Sequence, residues 1–188
     1  YLKNLFSESL AGRKKIFDLY PLDFGEFLTF KGIVYLSHDF TASKFLAPEY
    51  ERLRVYYDEF IRFGGFPEVV LASEHARKKE LLTDILSSYI NIDIATLADF
   101  RRKDIIYALM QLLAGRVGNR LDYAKLARGV GVSPMTARTY VDFLEQTYLL
   151  SRISVFSRSP DRAIVKAQKL YFSDNGILNI LSEVSSGA

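Results

Sequence analysis

The chain has 188 residues, 49% of them hydrophobic and 14% aromatic, with 25 Lys+Arg, 22 Asp+Glu and no cysteine or tryptophan. That composition supports a packed core and excludes a disordered chain, which would be poor in aromatics and rich in net charge. The missing cysteines exclude disulfides, thiolate zinc sites and cysteine nucleophiles, and they suit a reducing, cytoplasmic setting.

Charge is divided unevenly. Residues 1–100 carry 12 cationic against 15 anionic side chains, whereas residues 101–188 carry 13 against 7. A polyanionic partner would therefore meet the second part. The sequence holds no run of about 18 apolar residues, so no membrane span is expected. Its first residues lack the apolar stretch of a signal peptide.

In chain order, YLKNLFSESLAG reads as the tail of a helix closed by Gly12. In KKIFDLYPL, Ile16, Phe17, Leu19 and Tyr20 favour a strand over Lys15–Tyr20 that Pro21 stops. Asp23 stands three residues before Glu26, the spacing of an N-cap and its reciprocal partner, and Leu22 and Phe27 fall where a hydrophobic staple clamps a helix start. The spacing predicts a helix from Phe24 to about Phe30. A lone strand leaves its backbone groups unpaired, so residues 1–30 are expected to belong to a core completed outside this chain.

Residues 31–46 read as a connector. From Pro48, the residues Tyr50, Leu53, Tyr57, Phe60 and Ile61 keep helical spacing on one apolar face, and Gly64-Gly65 ends the run. FPEVVL bridges to a long helix, Glu74 to about Leu97, with Ser73 as its N-cap. Its inward face is Leu81, Leu82, Ile85, Tyr89, Ile92 and Leu97; Arg77, Lys78 and Lys79 face water. A further helix, about Lys103 to Ala114, carries Ile105, Ile106, Leu109, Leu112 and Leu113 and stops at Gly115.

Asp122 then caps a short helix, Tyr123 to Arg128, and GVGV turns the chain. Ser133 caps the next helix, with Pro134 at the first position, where its missing N–H costs nothing. In that helix Ala137, Tyr140, Val141, Leu144 and Tyr148 share one side; Met135, Thr139, Asp142 and Gln146 share the other. LLSRISVFSRSP and RAIVKAQKLYFS read as two strands around a basic turn. Three helices followed by two strands is the order of a winged helix.

Signals for catalysis are missing. The sequence has no G-x-x-x-x-G-K-[ST] phosphate loop and no G-x-S-x-G elbow, and His38 and His75 stand too far apart for a zinc pair. Carboxylates such as Asp58-Glu59 read as solvated helix positions. No catalytic residue and no metal ligand is assigned.

Four stretches in order, SLAGRKKIFDLYPLDFGEFL, RFGGFPEVVL, YAKLARGVGVSPMTARTYVDFLEQTYLL and KLYFSDNGIL, resemble prokaryotic, archaeal-type ATPases of the AAA+ superfamily. Those proteins carry a winged helix in a C-terminal domain of unknown function. The resemblance covers about Ser9 to Leu178. It implies that the phosphate loop and the acidic magnesium-binding motif precede Tyr1, and that KIFDLYPL ends the ATPase core. ATP and magnesium would then belong to the longer protein, with no cofactor held by this chain.

The implied fold is mainly α. Residues 1–32 would be a remnant of an α/β ATPase core, 33–100 a helical lid bundle, 101–174 a winged helix-turn-helix domain, and 175–188 the start of a truncated C-terminal segment. Arg13, in the AGRKK stretch, would sense nucleotide phosphates by this resemblance. It reads equally as a surface arginine favoured by a helix C-terminus. GGFPEVV reads as a tight corner between two lid helices.

Contact with duplex DNA needs donors at the start of the second helix of the pair and cations around it. Ser133, Thr136, Arg138 and Thr139 supply the first; Lys125, Arg128, Arg158, Arg162 and Lys166 supply the second. Asp142, on the exposed face, would repel phosphate, and Met135 with its aromatic neighbours suits a protein contact. Two readings stand: a DNA-contacting module, or an adaptor that docks a protein partner or a second copy without nucleic acid.

Overall fold

A computed structural model of the chain describes residues 18–35, 47–94, 103–154 and 168–186. The fold is mainly α. Helix α1, Phe24–Phe30, begins as the sequence dictates: the Asp23 carboxylate accepts the Glu26 N–H at 2.8 Å, and the Glu26 carboxylate accepts the Asp23 N–H at 2.9 Å. Phe27 and Leu28 bury against Val70, and Leu22, Phe24, Leu53, Tyr56 and Phe60 close this small cluster.

The strand expected over Lys15–Tyr20 does not form where it is described. Residues 18–20 are irregular and Leu19 is 91% exposed; residues 15–17 lie outside the described residues. The chain is committed elsewhere at this point. The Leu22 N–H donates to the Gly65 carbonyl at 2.8 Å, the Tyr20 ring stands edge-on to Tyr148, and the Tyr148 hydroxyl donates to Asp18 at 2.6 Å.

Helix α2, Ala47–Phe63, turns a different face inward from the one expected. Leu53, Tyr56, Phe60 and Phe63 form the inward stripe, while Tyr50, Tyr57 and Ile61 are exposed. Positions three and four apart, ending at Phe63, reach both the small cluster and the main core. The stretch expected as a bridge contains helix α3, Pro67–Leu71, with Pro67 at its first position and Val69 and Val70 buried. Five residues with two β-branched valines give too little periodicity to be read as a helix.

Helix α4, His75–Ser88, starts from Glu74 rather than Ser73, with no side-chain cap. It continues as a π-helical turn over Tyr89–Ile94. Lys78, expected to face water, is 1% exposed.

Helix α5, Lys103–Ala114, has the expected span, and Ile106, Leu109, Met110 and Leu113 are its deepest residues. Helices α6, Tyr123–Val130, and α7, Pro134–Gln146, are capped by Asp122 and Ser133 as expected. Tyr148, expected on the face of α7, lies beyond the helix end with φ 61°, the left-handed conformation that closes a helix. Strands β1, Leu150–Ile153, and β2, Lys169–Phe172, pair antiparallel, with Leu150 opposite Phe172.

Helix α8, Asn175–Ser186, returns across the bundle and packs on α2, α4 and α5. One continuous core results. It runs from Phe63 and Val69 through Leu82, Ile106 and Leu109 to Leu144, Leu170 and Ile177.

Candidate functional site

The first constellation is built on α6 and α7. Gly131, at φ 70° and ψ 36°, ends α6, and the Val132 N–H donates back to Ala127 at 3.0 Å. The Ser133 hydroxyl then accepts the Thr136 N–H at 3.1 Å and shares a 2.8 Å bond with the Thr136 hydroxyl. Thr139 donates to the Met135 carbonyl at 3.1 Å. The three hydroxyls expected as donors are therefore engaged locally. Arg138 is exposed, with its guanidinium 5.8 Å from the centre of the Tyr123 ring.

Lys125 and Arg128 are exposed on α6, Lys125 lying 3.9 Å from Asp122. The Lys125 N–H donates to Asp122 at 3.0 Å, and this bond holds the Asp122 carboxyl below its ordinary range. Arg13, Arg158, Arg162 and Lys166 lie outside the described residues. Residues 118–121 run beside β2: the Gly118 N–H donates to Leu170 at 2.9 Å, the Leu121 N–H donates to Gln168 at 2.8 Å, and Arg120 bridges Lys169.

Asp142 does not stand as the uncompensated anion that was expected. Arg152, on β1, pairs with it at 2.6 Å, donates to the Tyr123 hydroxyl at 2.9 Å, and is bonded through its Nε and Nη2 to Glu145. Burial alone would lower the Arg152 pKa, but the bonds to Glu145 and Tyr123 outweigh it and raise the value. Sequence reading missed Arg152 because only the turn after α7 brings it back over Glu145.

The second constellation joins the two stretches GGFPEVV and FSDNGIL. Asp174, 6% exposed, accepts the Gly65 N–H at 2.7 Å and the Ile177 N–H at 2.9 Å. A Cβ on Gly64 would overlap the Asp174 carboxylate, and one on Gly176 would overlap the Phe63 carbonyl. Burial raises the Asp174 carboxyl above its ordinary pKa, against the opposing pull of the backbone N–H donors. The corner read from Gly64-Gly65 is thus a docking point for a carboxylate.

Next to it, the Lys78 ammonium donates to the carbonyls of Val69 and Val70 at the end of α3 and pairs with Glu59 at 3.1 Å. Lys31 pairs with the same carboxylate at 2.7 Å. Burial lowers the Lys78 pKa more than its single anion raises it. Burial pushes Glu59 up, yet bonds to its two cations bring it below its ordinary value. The two directions agree with geometry, since Lys78 is the deeper member and Glu59 has two partners.

A cavity of about 650 Å³ lies between α4 and the turn after α7, with Leu81, Ile85, Tyr89, Tyr148, Leu149 and Asp174 among its walls. Among the described residues, no group of three or more His, Asp or Glu side chains is placed to hold a metal. No helix among them is long and apolar enough to cross a membrane.

The chain is 28% identical over 179 residues to an uncharacterized protein of Methanocaldococcus jannaschii, covering 92% of this chain and 38% of that one. It is 29% identical over 183 residues to an uncharacterized protein of Haemophilus influenzae, covering 93% and 42% respectively. A second uncharacterized protein of Methanocaldococcus jannaschii is 27% identical over 184 residues, covering 91% and 38%. The chain thus spans roughly two fifths of the length of the curated relatives it matches. No solved structure matches it. Residues 54–187 match the family model described as Domain of unknown function (DUF8612), and the chain belongs to that family.

Proposed function

We propose that this chain is the helical lid and winged-helix region of a prokaryotic AAA-type ATP-binding protein, and that its winged helix contacts duplex DNA. The observation that carries the reading is the hydrogen-bonded order of residues 103–172. It runs as α5, an edge at 118–121 bonded to β2, the capped pair α6 and α7, and an antiparallel hairpin. This order is what a winged helix requires, with α7 as the helix that enters a groove by its N-terminal residues. Arg138 stands exposed on that part of α7, and Lys125 and Arg128 flank it on α6. ATP and magnesium would be held by the longer protein, with Arg13 as the residue of this chain that senses phosphate. Residues 1–188 alone are expected to be inactive.

A second reading, docking of a protein partner or a second copy without nucleic acid, is favoured by Met135, which is 73% exposed beside Arg138 on α7. Salt separates the two. Duplex binding weakens steeply as salt rises because counterions are released, whereas apolar docking does not. In a fluorescence-anisotropy titration, Arg138→Ala combined with Arg162→Ala should weaken binding at low salt. No binding of any duplex by the unaltered chain at about 50 mM salt, where phosphate contacts are strongest, would remove the DNA reading.

A further inference from the structure

Arg152 joins three segments through one guanidinium. Its Nε donates to Glu145 at 2.9 Å, its Nη1 donates to the Tyr123 hydroxyl at 2.9 Å and meets Asp142 at 2.6 Å, and its backbone N–H donates to Glu145 at 3.0 Å. The side chain is 15% exposed, so Arg152 is not itself a phosphate ligand.

Two consequences follow from these contacts. The first concerns charge. Asp142 and Glu145 are successive anions on the later turns of α7, and Arg152 compensates one of their two charges within the protein. The second concerns position. Tyr123, whose hydroxyl Arg152 holds, presents its ring to Arg138. A cation over an aromatic face is attracted to it, and a side chain already restrained loses less freedom on binding.

The geometry points to Arg152 as the positioning residue that decides which partner the α7 surface accepts: a phosphate backbone with Arg152 in place, and no polyanion without it. This rests on the DNA reading above.

The test uses Arg152→Gln, Asp142→Asn, and the triple variant Arg152→Gln, Asp142→Asn, Glu145→Gln, each titrated against a duplex, with circular dichroism to verify folding. Arg152→Gln should weaken binding by about tenfold at about 50 mM salt, the scale of one cation's counterion release. The triple variant should recover most of that loss. Asp142→Asn alone should bind a few-fold more tightly than the unaltered chain, a gain that a merely structural role would not produce.

The Arg138 side-chain proton resonances, displaced by the Tyr123 ring, should relax toward random-coil positions in Arg152→Gln. A folded Arg152→Gln that binds as tightly as the unaltered chain overturns the proposal and leaves the DNA reading standing. Failure of the unaltered chain to bind overturns both. If Arg152→Gln does not fold, Asp142→Asn decides, and no gain in affinity overturns the proposal.

Discussion

Replacing Asp174 with alanine should lower the stability of the chain by about 3 kcal/mol. The substitution strands the N–H groups of Gly65 and Ile177, both of which end on this buried carboxylate. Each stranded buried donor costs about 1–3 kcal/mol, and the desolvation of the carboxylate, relieved by the same change, offsets part of the sum. With a urea dependence of about 2–3 kcal/mol per molar, the unfolding midpoint should fall by about 1–1.5 M at unchanged slope. Asp174→Asn keeps the shape and one acceptor, and should lose about half as much. A midpoint for Asp174→Ala within about 0.2 M of the unaltered chain would refute the reasoning, because at that slope it leaves under about 0.6 kcal/mol for both bonds.

The same carboxyl has a pH signature of defined sign. Burial raises its folded pKa above the ordinary 3.8, so the folded chain holds this proton more tightly than the unfolded chain does. Its contribution is therefore greatest below 3.8 and declines as pH rises through the raised folded value. The stability difference between the unaltered chain and Asp174→Asn should shrink across that window and stay flat above it. A difference that grows with pH there would refute the assignment.

Two other substitutions test the neighbouring packing. Gly65→Ala places a methyl group on the Leu22 carbonyl oxygen, a backbone atom with no rotamer to yield, and should cost at least about 1–3 kcal/mol in the same melts. An unchanged midpoint would show that the corner opens. Lys78→Met keeps the apolar stem and removes the ammonium, while Glu59 retains Lys31 at 2.7 Å. The loss should stay below the about 3–5 kcal/mol of a fully broken buried pair. Because burial lowers the Lys78 pKa from 10.5, the folded chain releases that proton first, so its contribution to stability rises with pH between the lowered value and 10.5. Alkaline melts of Lys78→Met should lack this rise.

What was legible in the sequence was local. The capping pair Asp23 and Glu26, the cap at Asp122, and the start at Ser133-Pro134 each involve groups within three residues of one another. Spacing alone therefore identifies them. Face assignment failed where a helix meets two partners at once. On α2, the small cluster and the main core together select Tyr56 and Phe63 over Tyr57 and Ile61.

Lys78 reads as a wet lysine until α3 exists to offer its carbonyls and α2 to offer Glu59. At the candidate DNA surface, the exposure of Arg138, Lys125 and Arg128 was legible, because each lies on the polar side of an amphipathic helix. The neutralisation of Asp142 was not, because its partner arrives on β1 after the chain has reversed direction.

The glycines at 64, 65 and 176 were legible only as punctuation, yet a shared close approach explains them better than turn chemistry does. The Asp174 carboxylate, the Leu22 carbonyl and the Phe63 carbonyl occupy the space their side chains would need. Such contact brings two backbones together without intervening side chains, and the carboxylate then satisfies donors that water cannot reach. Helix α8 is thereby fixed to the end of α2 while it also packs on α5, the helix that leads into α6 and α7. A rotation of α1–α3 relative to α7 would have to break the Asp174 bonds or carry α8 with it. For the proposed role in an ATP-driven protein, movement of the N-terminal helices would thus reach the DNA-facing helix through this contact, and Asp174→Ala would uncouple the two before it unfolds either.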